Sequence, residues 1–471
     1  ETLESALARR DELGIPEDAA LGTTLHNLGV VHLIETRYDL AEPLLDRALE
    51  VRRRVHGPLH ADIVATLRAQ FTYFYEVADY EQATVLLDEA ESVARAIQSD
   101  APLALADVLN SRADLATQLG DYDAAIEAFR STIEIRTEIS GDDHPRTLLA
   151  IHGLANALNT AGRREESEAI SRKLLEARRR VLPAGHPDVA HALGSLATSL
   201  KYQGRPEEAL PLQEESLAIL RAAHGEDQLD VSIALNNLAN IRHDLRDLDG
   251  ALEMHAEALA MNRRIYGEDH PSLADNYNNI AAIQADRNDF AGALVMYERT
   301  LDLDSRNLGE DHPFVGYDRL AIGTMQGLLG QAEQAEVTLR GALADIRRVS
   351  GEDHLQTFNA MRELGIFLQR EGRCDEAEPF LAEALPGLER VFPGDPWEVA
   401  TARTHLGTCI AIADPEAGEA LMRKAYERLV ELRGHDDRMT NQAREHLTQF
   451  LRSSDREAEA RALELAVTAA Q

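Results

Sequence analysis

Gly267-Glu-Asp-His-Pro271 and Gly309-Glu-Asp-His-Pro313 stand 42 residues apart, and the phrase returns in the same register as Gly141-Asp-Asp-His-Pro145 and Gly351-Glu-Asp-His354. Degenerate copies fall at Gly57, Ser99, Pro183, Gly225 and Pro393. Each residue type has a mechanical use: Gly closes a helix in the left-handed conformation, Asp caps the next helix, and Pro is tolerated in its first turn. The phrase reads as a joint between helices. Arginines just ahead of it, as at Arg52 to Arg54, Arg178 to Arg180 and Arg347 with Arg348, complement a helix C-terminus.

Between joints the pattern is helical twice over. Pro271 to Arg287 and Asp289 to Leu308 are predicted helices separated at Asn288, and Gly120, Gly162, Gly204, Gly330 and Gly372 mark equivalent breaks. Two antiparallel helices of roughly four to five turns fit this spacing. The first of each pair carries small residues where helices approach closely, such as Gly29, Ala113, Ala197, Ala239, Gly323 and Gly365. The second carries Ala41, Ala83, Ala125 and Ala209, and Leu49, Leu175, Leu217 and Leu259 complete an apolar stripe. The fold class is therefore all-α, a right-handed superhelical solenoid of antiparallel helix pairs.

These residues resemble the tetratricopeptide repeat (TPR), and the 42-residue period with its joints is similar to the kinesin light chain variety. Thr24-Leu-His-Asn-Leu28 and Leu235-Asn-Asn-Leu-Ala239 match the first-helix signature of that family. The array divides into residues 1–18, the second helix of a truncated repeat; 19–435, about ten pairs; and 436–471, a divergent capping repeat. The start at Glu1 inside a helix reads as a piece of a longer protein. A weaker resemblance is to the arrays of bacterial serine/threonine protein kinases, although no kinase motif lies in these residues.

Composition narrows the function classes. The net charge of -34 excludes a nucleic-acid partner, since binding a polyanion needs a basic footprint. No run of about 18 apolar residues is present to span a membrane, and no signal peptide is evident. The expected setting is cytoplasmic, without a membrane partner. Cys374 and Cys409 sit in apolar columns and read as buried free thiols.

Catalytic, metal and cofactor sites are not expected. His60, His144, His186, His270, His312 and His354 recur one per stacked pair, about 10 Å apart, and cannot converge on one ion. Adjacent acids such as Glu207 and Glu208 point to different sides of a helix. No Gly-rich phosphate loop, nucleophile elbow or Cys-x-x-Cys is present.

The informative pattern is the face of each first helix that should line an inner groove. One column holds His26, Arg68, Asn110, His152, Asn236, Asn278 and Arg362; the next holds Asp114, Asn156 and Asn240, with His243 and Asp244 a turn further on. An Asn amide offers donors and acceptors to the main chain of an extended peptide without reading its side chains. The predicted groove is Asn110, His152, Asn156, Asn236, Asn240, His243, Asp244 and Asn278. The resemblance to kinesin light chain implies that the asparagines at Asn236 and Asn278 contact bound peptide. Bonding of Asn to a neighbouring helix is the competing role, assigned to Asn237 and Asn279. Acidic residues nearby favour a basic protein segment or extended peptide.

The expectation is thus a non-enzymatic protein-protein or peptide-binding scaffold. Two alternatives stay open: a substrate-recruiting or regulatory region of a larger enzyme such as a bacterial serine/threonine kinase, and a peptide-sensing switch.

Overall fold

The computed structural model describes residues 2–13, 15–225, 228–392, 394–435 and 437–468. It is all-α, with helices laid out as sequential antiparallel pairs, and it divides into two compact units, Glu1–Leu245 and Arg246–Gln471. The first unit contains α1 (Thr2–Glu12), α2 (Ala19–Ile34), α3 (Tyr38–His56), α4 (Ala61–Glu76), α5 (Tyr80–Ala96), α6 (Pro102–Gln118), α7 (Tyr122–Ser140), α8 (Pro145–Thr160), α9 (Arg164–Val181), α10 (Pro187–Tyr202), α11 (Pro206–His224) and α12 (Leu229–Asp244). The second contains α13 (Leu248–Tyr266), α14 (Leu273–Asp286), α15 (Phe290–Leu308), α16 (Pro313–Leu328), α17 (Ala332–Ser350), α18 (Leu355–Arg370), α19 (Cys374–Val391), α20 (Trp397–Ile410), α21 (Pro415–Arg433), α22 (Arg438–Ser453) and α23 (Glu457–Thr468). Among the described residues no helix is long and apolar enough to cross a membrane.

Small residues let paired helices approach. A Cβ added to Gly29 would lie 2.8 Å from Leu45, one at Gly323 2.8 Å from Leu339, and one at Gly365 2.6 Å from Leu381. The facing Ala41, Ala335 and Ala377 are wholly buried. Bulk in these positions would force off-rotamer side chains and shifted backbones. In each unit the first helices of successive pairs also touch one another, as α4 does with α6, α8 with α10 and α18 with α20, which places them on the tighter side of the stack.

The joints work differently from the sequence reading in two respects. Their glycines have positive φ, but ψ lies near 180°, as at Gly141 (φ 89°, ψ 163°) and Gly267 (φ 92°, ψ 169°). That region is essentially closed to residues with a Cβ, whereas the break within a pair accepts Thr36, Ala78, Arg246 and Asn288 at φ 56–64°. The joint therefore requires Gly more strictly than a left-handed cap does. Nor does the Asp of the joint cap the next helix. The His does: Nδ1 of His60, His144, His186, His312 and His354 accepts the backbone N–H two residues on, at 3.1–3.3 Å, and His270 makes the same bond to Ser272 just ahead of α14. An imidazole nitrogen meets one of the orphan donors of the first turn. Asp does take this role at Asp437, which accepts from the Met439 N–H at 2.9 Å.

Ahead of several second helices the chain places a capping Asp or a bridging Arg. Asp79, Asp121, Asp247 and Asp289 accept the N–H three residues on. Arg205 and Arg373 instead join a glutamate of their own helix to one on the preceding second helix: Arg205 reaches Glu208 at 2.6 Å and Glu168 at 2.9 Å, and Arg373 reaches Glu376 at 2.8 Å and Glu336 at 2.7 Å. Hydrogen bonds from Arg373 and Arg340 pull the Glu336 carboxyl down to about 2. The arginines at helix C-termini are not all solvated. Arg52 and Arg178 are buried and donate across the joint to the Asp62 and Asp188 carbonyls, each at 2.8 Å.

The reading of free thiols is corrected. Cys374 and Cys409 form a disulfide with Cα atoms 5.0 Å apart, linking the start of α19 to the end of α20. Columns treated singly hid the pairing, because these positions on successive helices face one another.

Candidate functional site

The predicted residues fall on four helices. Asn110 lies on α6, His152 and Asn156 on α8, and Asn236, Asn240, His243 and Asp244 on α12, all in the first unit; Asn278 is exposed on α14 of the second.

On α6, Asn110 Nδ2 donates to Asp114 Oδ2 at 3.0 Å, one helical turn away. Asp114 is open to water yet crowded by neighbouring helices, and that loss of solvation pushes its carboxyl up to about 6 against the pull of Arg68 and the Asn110 bond. Burial holds the Arg68 guanidinium below its ordinary range. It donates to Ser111 at 3.2 Å and pairs with Asp107 at 3.1 Å, where Arg136 and Arg146 also converge.

On α8 the contacts close into a ring. Asn156 Nδ2 lies 3.3 Å from His152 Nε2, His152 Nδ1 lies 3.3 Å from Ser195 Oγ, and Ser195 Oγ donates to Asn156 Oδ1 at 3.4 Å. One tautomer satisfies all three: the amide donates to Nε2, Nδ1–H donates to the hydroxyl, and the hydroxyl donates to the amide oxygen. A neutral imidazole is required. Burial, aided by the charge of Arg178, lowers His152 to about 4, and burial likewise lowers His26 on α2 to about 4. The second amide hydrogen of Asn156 is not used by the ring.

On α12, Asn236, Asn240 and His243 are half-buried, and exposed Asp244 pairs with Lys201 of α10 at 3.6 Å. Ser111 and Ser195, one residue beyond the groove column, turn back to the preceding first helix and meet Arg68 and His152. Sequence reasoning gave that role to Asn237 and Asn279 but passed over the serines of the same column.

The ring borders a cavity of about 230 Å³ in the first unit, lined by residues of α8, α10, α11 and α12 including His152, Asn156, Ser195 and Asp230. It was not foreseen. Its signal was Gly194, which stands in the groove column where flanking repeats have His152 and Asn236.

A trio at another joint, His56, His60 and Asp62, brings its ligand atoms within 4.8 Å of one another. The two imidazoles stack at 4.1 Å, and Tyr266 stacks on His270 in the same repeat positions at 4.4 Å. His60 Nδ1 is committed to the helix cap. The ring stack recurs at these joint positions.

With paired helices, capped joints and a polar first-helix face in place, the chain belongs to the tetratricopeptide repeat family, whose model matches residues 20–96, 104–180, 149–222, 230–306 and 319–390. No curated protein matches it. Among solved structures it is similar to the putative kinesin light chain TPR-like repeats of Podosopora anserina, with 19% identity, 44% of this chain and 97% of that one covered, and a TM-score of 0.40. It is also similar to the apo form of the quorum sensor NprR from B. thuringiensis, with 13% identity, coverage of 78% and 98%, and a TM-score of 0.56. A Rap protein complexed with competence and sporulation factor aligns at 13% identity, with coverage of 87% and 99% and a TM-score of 0.51.

Proposed function

We propose that the chain is a non-catalytic scaffold that holds an extended segment of a partner protein against the first helices of its first unit. The observation that carries this reading is the hydrogen-bonding face running from Asn110 and Asp114 through the His152, Asn156 and Ser195 ring to Asn236 and Asn240. Amides there offer donors and acceptors at the spacing of stacked helices, and loss of solvation at His26, Asp114 and His152 marks the face as recessed. The fold shared with a Rap protein that is complexed with a factor, and with a quorum sensor, supports a ligand on this scaffold.

Charge favours a basic or neutral partner segment. The chain carries -34 overall, and Asp114 and Asp244 lie on the face. Like-charge repulsion works against an acidic one. A peptide array probed with the wild-type chain and with an Asn156→Ala/Asn236→Ala/Asn240→Ala variant of verified fold tests the proposal. Spots captured by wild type should fade on the variant, and basic spots should weaken as salt is raised. Equal capture by both proteins would move the binding surface elsewhere.

A further inference from the structure

Gly194 breaks the groove column in the middle of α10, and packing does not require it. A Cβ there would make only ordinary contacts, 3.6 Å from Gln213 Oε1 and 3.7 Å from Ser216 Oγ, unlike the sub-3 Å clashes at Gly29, Gly323 and Gly365. A Gly inside a helix is destabilising relative to Ala. Its consequence is to uncover the cavity of about 230 Å³, whose floor is formed by Gln213 and Ser216 of α11.

That floor is built for a donor. Gln213 is 1% exposed; its Nε2 donates to the Ala234 carbonyl at 3.0 Å, and its Oε1 has no hydrogen-bond partner among the described residues. A buried acceptor left unpaired is destabilising. Ser216 spends its hydroxyl hydrogen on the Ala190 carbonyl at 2.8 Å, so it too can only accept from a visitor. On the wall, the second amide hydrogen of Asn156 is a donor. Asp230 of α12 and His191 of α10 also line the wall, with His191 Nε2 3.5 Å from Asp230 Oδ2. A guanidinium or ammonium, having no acceptor, would leave the Asn156 donor unmet, and a carboxylate would face the two floor acceptors. A neutral group with both donors and an acceptor fits this lining, and the volume is below that of drug-sized ligand sites, on the scale of one side chain.

We propose that this cavity is a side-chain pocket for the carboxamide of an Asn or Gln in the segment held along the first helices, its NH2 meeting Gln213 and Ser216 and its carbonyl meeting the Asn156 donor of the wall. This rests on the groove reading above and adds to it a position where sequence is read. The amide ladder on either side holds main chain, and the gap at Gly194 selects one residue.

The test uses pools of acetylated, amidated octapeptides, randomised except for one central position fixed as Gln, Asn, Arg, Leu, Glu or Ala. Each pool is titrated against the wild-type chain and against Gly194→Asn, which restores the residue type of neighbouring repeats and fills the cavity with the variant's own carboxamide. Gly194→Ala, whose added atom makes only ordinary contacts, is the control for folding. The Gln and Asn pools are expected to bind wild type roughly tenfold tighter than the Leu pool, the equivalent of a good buried hydrogen bond. The ratio should fall to near one in Gly194→Asn while the Leu-pool affinity is retained. Binding of all pools alike, tightest binding by the Arg pool, or a Gln preference that survives Gly194→Asn would overturn the pocket and leave the groove standing. Absence of binding by every pool would overturn the groove and the pocket with it.

Discussion

Cys374 and Cys409 occupy the same two repeat positions as Tyr38 and Tyr73: both pairs are 35 residues apart, and both join the start of a second helix to the end of the next first helix. The tyrosine rings meet edge to face at 6.1 Å, where the cysteines form a covalent bond. One contact between neighbouring repeats is thus made by aromatic packing near one end of the array and by a disulfide near the other.

Closing a loop of this length lowers the entropy of the unfolded chain by an amount worth about 4 kcal/mol. Reduction, or Cys409→Ala, is therefore expected to lower the melting temperature. Thiol titration of the unreduced, denatured chain should find no reactive cysteine. Two titratable thiols after purification without reductant would contradict the bond. Such bonds persist in oxidising compartments, so the outcome also bears on the cytoplasmic setting expected from sequence.

Asp304 and Asp318 give a pH dependence. Both are 8% exposed, and burial together with Asp304 pushes Asp318 up to about 7. The unfolded carboxyl titrates near 4, so between about pH 4 and pH 7 the folded chain holds the extra proton. The stabilisation is complete below pH 4, is lost as pH rises through 7, and is absent above. Asp318→Asn, which keeps a donor in place at every pH, should stabilise the chain at pH 8 by of order 1–3 kcal/mol and change little at pH 4. Thermal melts at the two pH values check this.

The joint histidines act as caps, and a single cap is worth about 1 kcal/mol. His354→Ala should cost that amount in chemical denaturation, whereas His354→Asp should be close to neutral because Asp437 already caps α22 in this way. Equal losses in both variants would show that the imidazole matters for another reason, such as ring stacking.

Gly365→Leu tests the close-approach column. Its Cβ alone would stand 2.6 Å from Leu381 Cγ, so the larger side chain should overpack the pair and cost about 1–3 kcal/mol. An unchanged denaturation midpoint would mean the helices can separate freely there.

Much of this fold was legible because a 42-residue period repeats the same mechanical parts. The joints, the small-residue column and the apolar stripe each recur often enough for position to reveal purpose. What escaped were contacts between columns. Arg52 with Thr66, Asn262 with Asn276 and Asp304 with Asp318 are one position pair with three chemistries, and a column examined alone shows only unrelated polar residues. The disulfide was missed for the same reason. In the candidate site, the asparagines were visible as a ladder, while Ser195 lay one column over. Gly194 was passed over because an absent side chain leaves no chemical signature until the neighbours around the gap are known.

The central claim is that a partner segment lies along the first helices of the first unit. A photo-crosslinking residue placed at Asn156, and separately at exposed Val85 on second helix α5, asks this directly with an array-selected peptide. The account predicts a covalent adduct from position 156 that excess unlabelled peptide abolishes, and none from position 85. Crosslinking from position 85 with none from 156 would place the ligand on the second-helix face and contradict it.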